Sequence, residues 1–178
     1  MLRYIKIVLS LIVVSLFINS CDDYCEMTDY EAYLPLKIGN KWTYYPETKW
    51  EVIGKKNING NSFYDIIIEY RNYDGIVSSY HSYYRFNDSK LFIYSNSDSL
   101  ETLLADFSLK EGEMFYQENT GFNVTVWSDN PNEFELHYDH PEIADEEYEI
   151  TFKHDVGIIS ECSISWGGCT ELTDYKLE

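Results

Sequence analysis

Basic residues are scarce in this chain: 13 Lys and Arg stand against 31 Asp and Glu in 178 residues. So acidic a protein is a poor partner for nucleic acid or anionic lipid, because binding a phosphate backbone relies on Lys and Arg to neutralise it. Histidine is rarer still. His81, His137, His140 and His154 are the only side chains whose ordinary titration falls near neutral pH. There is no Gly-x-Ser-x-Gly elbow, no His-Glu-x-x-His zinc helix and no phosphate-cradling glycine loop, so the familiar signatures of hydrolases, metalloproteases and nucleotide binders are missing. No cofactor is implied. Amphipathic helices are missing too, apart from a short turn expected near Leu100 to Ala105.

Apolar runs are few, and the longest is at the start. Arg3 and Lys6 precede the twelve residues Ile7 to Ile18, which are interrupted by Ser10 and Ser15. A basic head followed by a short apolar segment is a secretory signal peptide, too short for a comfortable membrane-spanning helix. It closes on Ile18-Asn19-Ser20-Cys21, which resembles the bacterial lipoprotein signal, cut before a cysteine that then carries acyl chains. Cys21 is the expected lipidation site, and each methylene buried in the bilayer contributes about 0.8 kcal/mol. The membrane partner is then reached through lipid rather than protein. Asp22-Asp23-Tyr24-Cys25-Glu26 resembles the export tag that sends Bacteroidota lipoproteins to the outer face of the outer membrane, and a periplasm-facing anchor is the alternative. The expected organisation is a leader over 1–20, an acidic tether over 21–32 and one domain over 33–178, a length sufficient for a real core.

What the chain has in quantity is aromatic: 17 Tyr, 9 Phe and 4 Trp. Most lie in runs of period two. Phe63 to Tyr70 puts Tyr64, Ile66, Ile68 and Tyr70 on one face and Asp65 and Glu69 on the other, as a half-buried antiparallel strand requires. The same period recurs at Phe122 to Trp127, Glu133 to Tyr138 and Glu147 to Phe152. Between these runs lie Asn57 to Asn61, Asn72 to Gly75, Asn87 to Ser89, Asn119 to Gly121 and Asp129 to Asn132, all of turn composition. The expected fold is mainly β: an antiparallel meander of about ten strands forming a curved sheet, a partly closed barrel or a sandwich, preceded by the signal-peptide helix.

One stretch is echoed. Leu36-Lys-Ile-Gly39 is followed by Trp42, and 73 residues later Leu109-Lys-Glu-Gly112 is followed by Phe115. The pair reads as two glycine turns, each launching a strand with a buried aromatic, so that Gly39, Trp42, Gly112 and Phe115 are structural and mark the two halves of one sheet. The run of motifs from Leu34-Pro-Leu-Lys-Ile-Gly-Asn-Lys-Trp-Thr-Tyr44 through Ile58-Asn-Gly60 and Asp106-Phe-Ser-Leu-Lys-Glu-Gly112 to Asp155-Val-Gly-Ile-Ile159 resembles a group of Bacteroidota secreted and lipid-anchored β-rich domains of unknown function. That resemblance implies a fold and an envelope location and carries no activity with it.

Cysteines Cys25, Cys162 and Cys169 remain once Cys21 is lipidated, an odd number for an oxidising compartment. Cys162 and Cys169 flank Trp166-Gly-Gly168, which reads as a hairpin turn, so a bridge between them is expected, with Cys25 pairing to either as the alternative. His137, Asp139, His140 and Glu142 form the best candidate for a divalent metal or a hydrolytic site, against which stands a solvated acidic loop. Asp106 is read as a turn residue bonding nearby backbone, or as a ligand contact. Strand Ser78 to Phe86 carries Tyr on both faces, either as a ring platform for a glycan or peptide or as a strand covered on both sides. The function expected is a non-catalytic binding or assembly lipoprotein of the outer membrane. A secreted hydrolase and an immunity or inhibitor lipoprotein with a basic partner are the alternatives.

Overall fold

The computed structural model describes residues 29–178 apart from Tyr73. The leader, Cys21 and Cys25 lie outside the described residues. A short 3-10 helix, Tyr30–Tyr33, precedes twelve strands: β1 (Lys41–Tyr45), β2 (Thr48–Ile58), β3 (Asn61–Arg71), β4 (Val77–Asn87), β5 (Lys90–Ser95), β6 (Leu100–Asp106), β7 (Met114–Tyr116), β8 (Asn123–Asn130), β9 (Glu133–Asp139), β10 (Tyr148–Lys153), β11 (Gly157–Ser163) and β12 (Gly168–Lys176). They form one sheet in the order β6-β5-β4-β3-β2-β1-β12-β11-β10-β9-β8-β7, antiparallel throughout. The mainly β meander is therefore present with twelve strands instead of about ten. Leu100 to Ala105, expected as a helical turn, belongs to strand β6, because its backbone pairs with β5 from Lys90↔Asp106 to Ser95↔Leu100.

Each half of the sheet contributes to a single core. Val52, Ile66, Ile68, Tyr84, Leu91 and Ala105 come from the first six strands, and Val124, Val126, Phe134, Leu136, Tyr138, Ile150, Phe152 and Ile158 from the last six. One sheet that buries one face against itself has to curl. Register shifts at Thr43/Tyr44, Val52/Gly54, Leu91/Phe92, Val126/Ser128 and Thr151/Phe152 supply local bends. The curl does not close into a barrel, since β6 and β7 do not pair. Side chains cross the seam between them: the Gln117 amide donates to the Leu103 carbonyl (2.6 Å), Asn119 to that of Glu101 (2.9 Å) and the Tyr138 hydroxyl to that of Leu104 (2.6 Å). Carbonyls that a partner strand would otherwise pair are thereby occupied.

The echoed motif has the same hydrogen bonds at both places. Gly39 N–H donates to Val52 O and Val52 N–H returns to Asn40 O, while Gly112 N–H donates to Val126 O and Val126 N–H returns to Glu113 O, all within 2.8–3.0 Å. Both glycines have positive φ, 98° and 83°, a conformation that a Cβ strains. The aromatics differ. Trp42 is fully buried, whereas Phe115 only packs against the rim of the core. Trp42 is on β1, paired on both sides, and Phe115 is on the three-residue edge strand β7.

Because consecutive strands pair, the turns after β1, β3, β5, β7, β9 and β11 all gather at one end of the curled sheet. The 3-10 helix covers the opposite end. There Tyr33 stacks on Phe107 (4.8 Å between centroids, planes 7° apart), Asp155 N–H donates to Ala32 O (2.8 Å) and Trp42 Nε1 donates to Val156 O (2.5 Å). Gly157 (φ 116°) lies against that indole, where a Cβ would come within 2.9 Å of Nε1. Ala32 and Tyr33 are buried, so the helix Tyr30–Tyr33, most of it inside the stretch expected as tether, packs on the domain.

Candidate functional site

The end opposite the 3-10 helix is open. Tyr44 at the end of β1, Tyr70 and Tyr80 on the β3–β4 arm, Tyr138 on β9 and Tyr148 on β10 all approach it, with Tyr138 and Tyr148 stacked at 4.3 Å and 8°. Phe122, after β7, stands edge-on to Tyr148 at 5.3 Å. Glu161 projects among them. It pairs directly with Ile150, a core residue, and opposite residues of an antiparallel pair share a face, so the carboxylate points to the inner side of the sheet. Water reaches it, but protein surrounds it on most sides, and burial pushes its carboxyl above the ordinary value, with no hydrogen bond or cation acting against the shift. Its charge in turn helps to raise Tyr44, Tyr80, Tyr84, Tyr138 and Tyr148, for all of which burial is the larger cause.

A cleft of about 460 Å³ opens above Glu161, walled by Phe122, Tyr148 and Trp166 and rimmed by Asp145, Glu146 and Glu147. This volume is in the range of small-molecule sites. Trp166 is 81% exposed, an unusual position for so large an apolar surface. Its ring is nevertheless held. The indole N–H donates to Asp145 O (3.1 Å), and the turn that carries it is closed by the Cys162–Cys169 disulfide, whose Cα atoms are 4.1 Å apart in directly opposed positions of β11 and β12. Among the described residues no Lys or Arg lines this cleft. A larger hollow of about 580 Å³ lies at the helix end, lined by Asp29, Pro35, Lys37, Ile38 and Lys55 among others, where the described chain starts. Among the described residues no Trp lines it, and Lys37 and Lys55 stand there with the carboxylates of Asp29, Glu31 and Asp155.

The residues singled out in the sequence are dispersed. His137 stacks on Trp127 (4.3 Å, 16°) on the outer face, with Nε2 3.7 Å from a Glu147 oxygen. His140 lies edge-on to Phe122, and its Nδ1 accepts from Glu142 N–H at 3.3 Å. Among the described residues no three His, Cys, Asp or Glu side chains converge as a metal site, so His137, Asp139, His140 and Glu142 do not form one. The reason is the strand period, which places His137 and Asp139 outward while His140 has already left β9. Asp106 is a turn residue: one of its oxygens accepts from Ser108 Oγ (2.6 Å), Ser108 N–H (3.1 Å) and Ser89 Oγ (3.0 Å). Burial pushes its carboxyl up, and those bonds together with the Lys90 charge outweigh it and hold the group below the ordinary value. Strand β4 is covered on both faces at Tyr83 and Tyr84, each 4% exposed. Of the tyrosines on β4 only Tyr80, nearer the open end, is exposed, with the exposed His81 ring next to it in the chain.

No family model and no curated protein matches this chain. Among solved structures it is similar to a candidate lipoprotein from Parabacteroides distasonis, with 9% sequence identity and a TM-score of 0.39 over 81% of this chain and 98% of that one.

Proposed function

We propose that this protein is an envelope lipoprotein, held on the outer membrane by acyl chains on Cys21, whose β domain is a non-catalytic binding module at the cell surface. The observation that carries the binding role is the aromatic cleft around Glu161 at the open end of the sheet. The described chain starts at the other end, beside the 3-10 helix Tyr30–Tyr33, opposite the cleft. The leader and Ile18 to Cys21 support the anchoring, and Asp22-Asp23 supports export to the outer face. The acidity of the chain also suits a partner of opposite charge, the chemistry that an inhibitor or immunity role would require.

Two fractionations test the anchoring and the address. The wild-type chain partitions into detergent phase and takes up labelled fatty acid, and Cys21→Ser moves it to the aqueous phase without label. Protease added to intact cells digests the domain. Protection from that protease places the anchor on the periplasmic side, and fatty-acid labelling that persists in Cys21→Ser overturns the lipoprotein reading.

A further inference from the structure

The cleft does not present itself equally to all ligands. Its walls are the aromatic rings of Phe122, Tyr148 and Trp166, its floor is a carboxylate on the inner side of the sheet, and its rim is Asp145, Glu146 and Glu147. An anion meets four carboxylates and, among the described residues, no Lys or Arg. A neutral sugar finds rings to stack on, but it must also compete with water for a carboxylate that no protein donor satisfies. A cation gains on every count. The quadrupole of each ring attracts it over the face, an effect that strengthens as the site is desolvated, and Glu161 lacks a counter-charge that a cationic head would supply. The rim raises the local concentration of cations before contact. The ring that projects farthest, Trp166, is fixed in advance by its bond to Asp145 O and by the disulfide, so little ordering is needed on binding.

We infer that the cleft binds an organic cation, an ammonium or guanidinium head on a short apolar stem, with Glu161 as its counter-ion and Tyr148, Phe122 and Trp166 as its walls. The inference rests on the reading of this domain as a binding module and names the ligand class for it. Free amines and Lys or Arg side chains of a peptide share this chemistry. The size of the cleft admits one head group and its stem.

Titration of the full-length chain in detergent, followed by calorimetry and by tryptophan fluorescence, tests it with n-butylguanidinium, benzyltrimethylammonium, N-acetyl-lysine methylamide and neutral N,N′-diacetylchitobiose. The three cations should bind saturably and the sugar should not. Tighter binding of the lysine amide than of the free cations identifies the peptide source, and the reverse order the free amine, either of which supports the inference. Glu161→Gln should weaken cation binding at least tenfold and Trp166→Ala several-fold, while Glu31→Gln, at the opposite end of the sheet, leaves it unchanged. Near-ultraviolet circular dichroism checks that the variants are folded. Cation affinity that survives Glu161→Gln overturns the inference. Sugar binding that is lost in Trp166→Ala, without cation binding, overturns it too but leaves the binding-module reading standing. Failure of all four probes removes both.

Discussion

Glu161 turns to the inner side of the sheet but is exposed to solvent, hemmed in by protein and without a partner among the described residues. A carboxyl so placed lowers the stability of the fold that holds it. Its folded pKa is raised by burial above the ordinary value of 4.5. The sign of the pH dependence follows from linkage. Above the folded pKa both states are ionised and the native state carries the whole cost; as pH falls through the raised value the native state takes up the proton first and stability returns, fully so below 4.5. The other groups facing it, Tyr44, Tyr80, Tyr84, Tyr138 and Tyr148, are themselves held above the ordinary tyrosine value, and Asp145, Glu146 and Glu147 line the same cleft. Glu161→Gln is therefore expected to raise the melting temperature at pH 7, with the difference from wild type shrinking towards zero below pH 4.5. A melting temperature lowered by the same amount at both pH values would contradict this. Sequence periodicity hides the residue. Alternation counted from Ile158 sends Glu161 outward, but the register shift between Thr151 and Phe152 leaves Ile159 as the extra residue and turns Glu161 inward. A bulge leaves little trace in composition, so parity after it is lost.

Among elements, the two glycine turns were legible because their chemistry is local: Leu-Lys-x-Gly needs only its own backbone and one strand to bond to. The difference between Trp42 and Phe115 was not, since it depends on which strand ends at a sheet edge, a property of pairing and not of either sequence. Strand β6 reads as a helical turn for a related reason. It lies at an edge, and its Leu103-Leu104-Ala105 run has no alternation of apolar and polar residues to mark it as a strand. The seam between β6 and β7 is where side chains take over from a ladder. Gln117 is 4% exposed, its amide bonded to Leu103 O and its carbonyl accepting from Thr120 Oγ1 at 2.7 Å. Gln117→Ala leaves a buried carbonyl without its donor, an expected cost of about 1 to 3 kcal/mol. Urea denaturation reads the loss, and hydrogen exchange should quicken in β6 more than in β3. Equal exchange in the two strands would show that the bond does not hold the seam.

For the whole molecule, the fold separates closure from access. Tyr33, 4% exposed, seals one end against Phe107, Phe134 and His154, and the open end keeps the cleft. Tyr33→Ala should cost about 3 to 5 kcal/mol, as loss of a buried aromatic does, and should leave cation affinity at the far cleft unaltered. Equilibrium unfolding and the same titrations report the two quantities separately, and a fall in affinity would show that the ends are coupled through the core. The mainly β class and its meander could be read from period-two runs and turn residues. The cleft could not, because Phe122, Tyr148, Glu161 and Trp166 are brought together by the curl of the sheet and belong to no common motif.

The place of β1 in the strand order bears on mechanics. It is the first strand after the tether, yet it lies between β2 and β12 near the middle of the sheet, bonded on both sides. A pull delivered from the N-terminal side is thus loaded onto a central strand, and freeing it means breaking two ladders in parallel. An edge strand such as β7 would peel from a single neighbour, one bond at a time. Were the chain held at Cys21 as proposed, tension along its N-terminal side would meet this doubly bonded strand before any edge of the sheet.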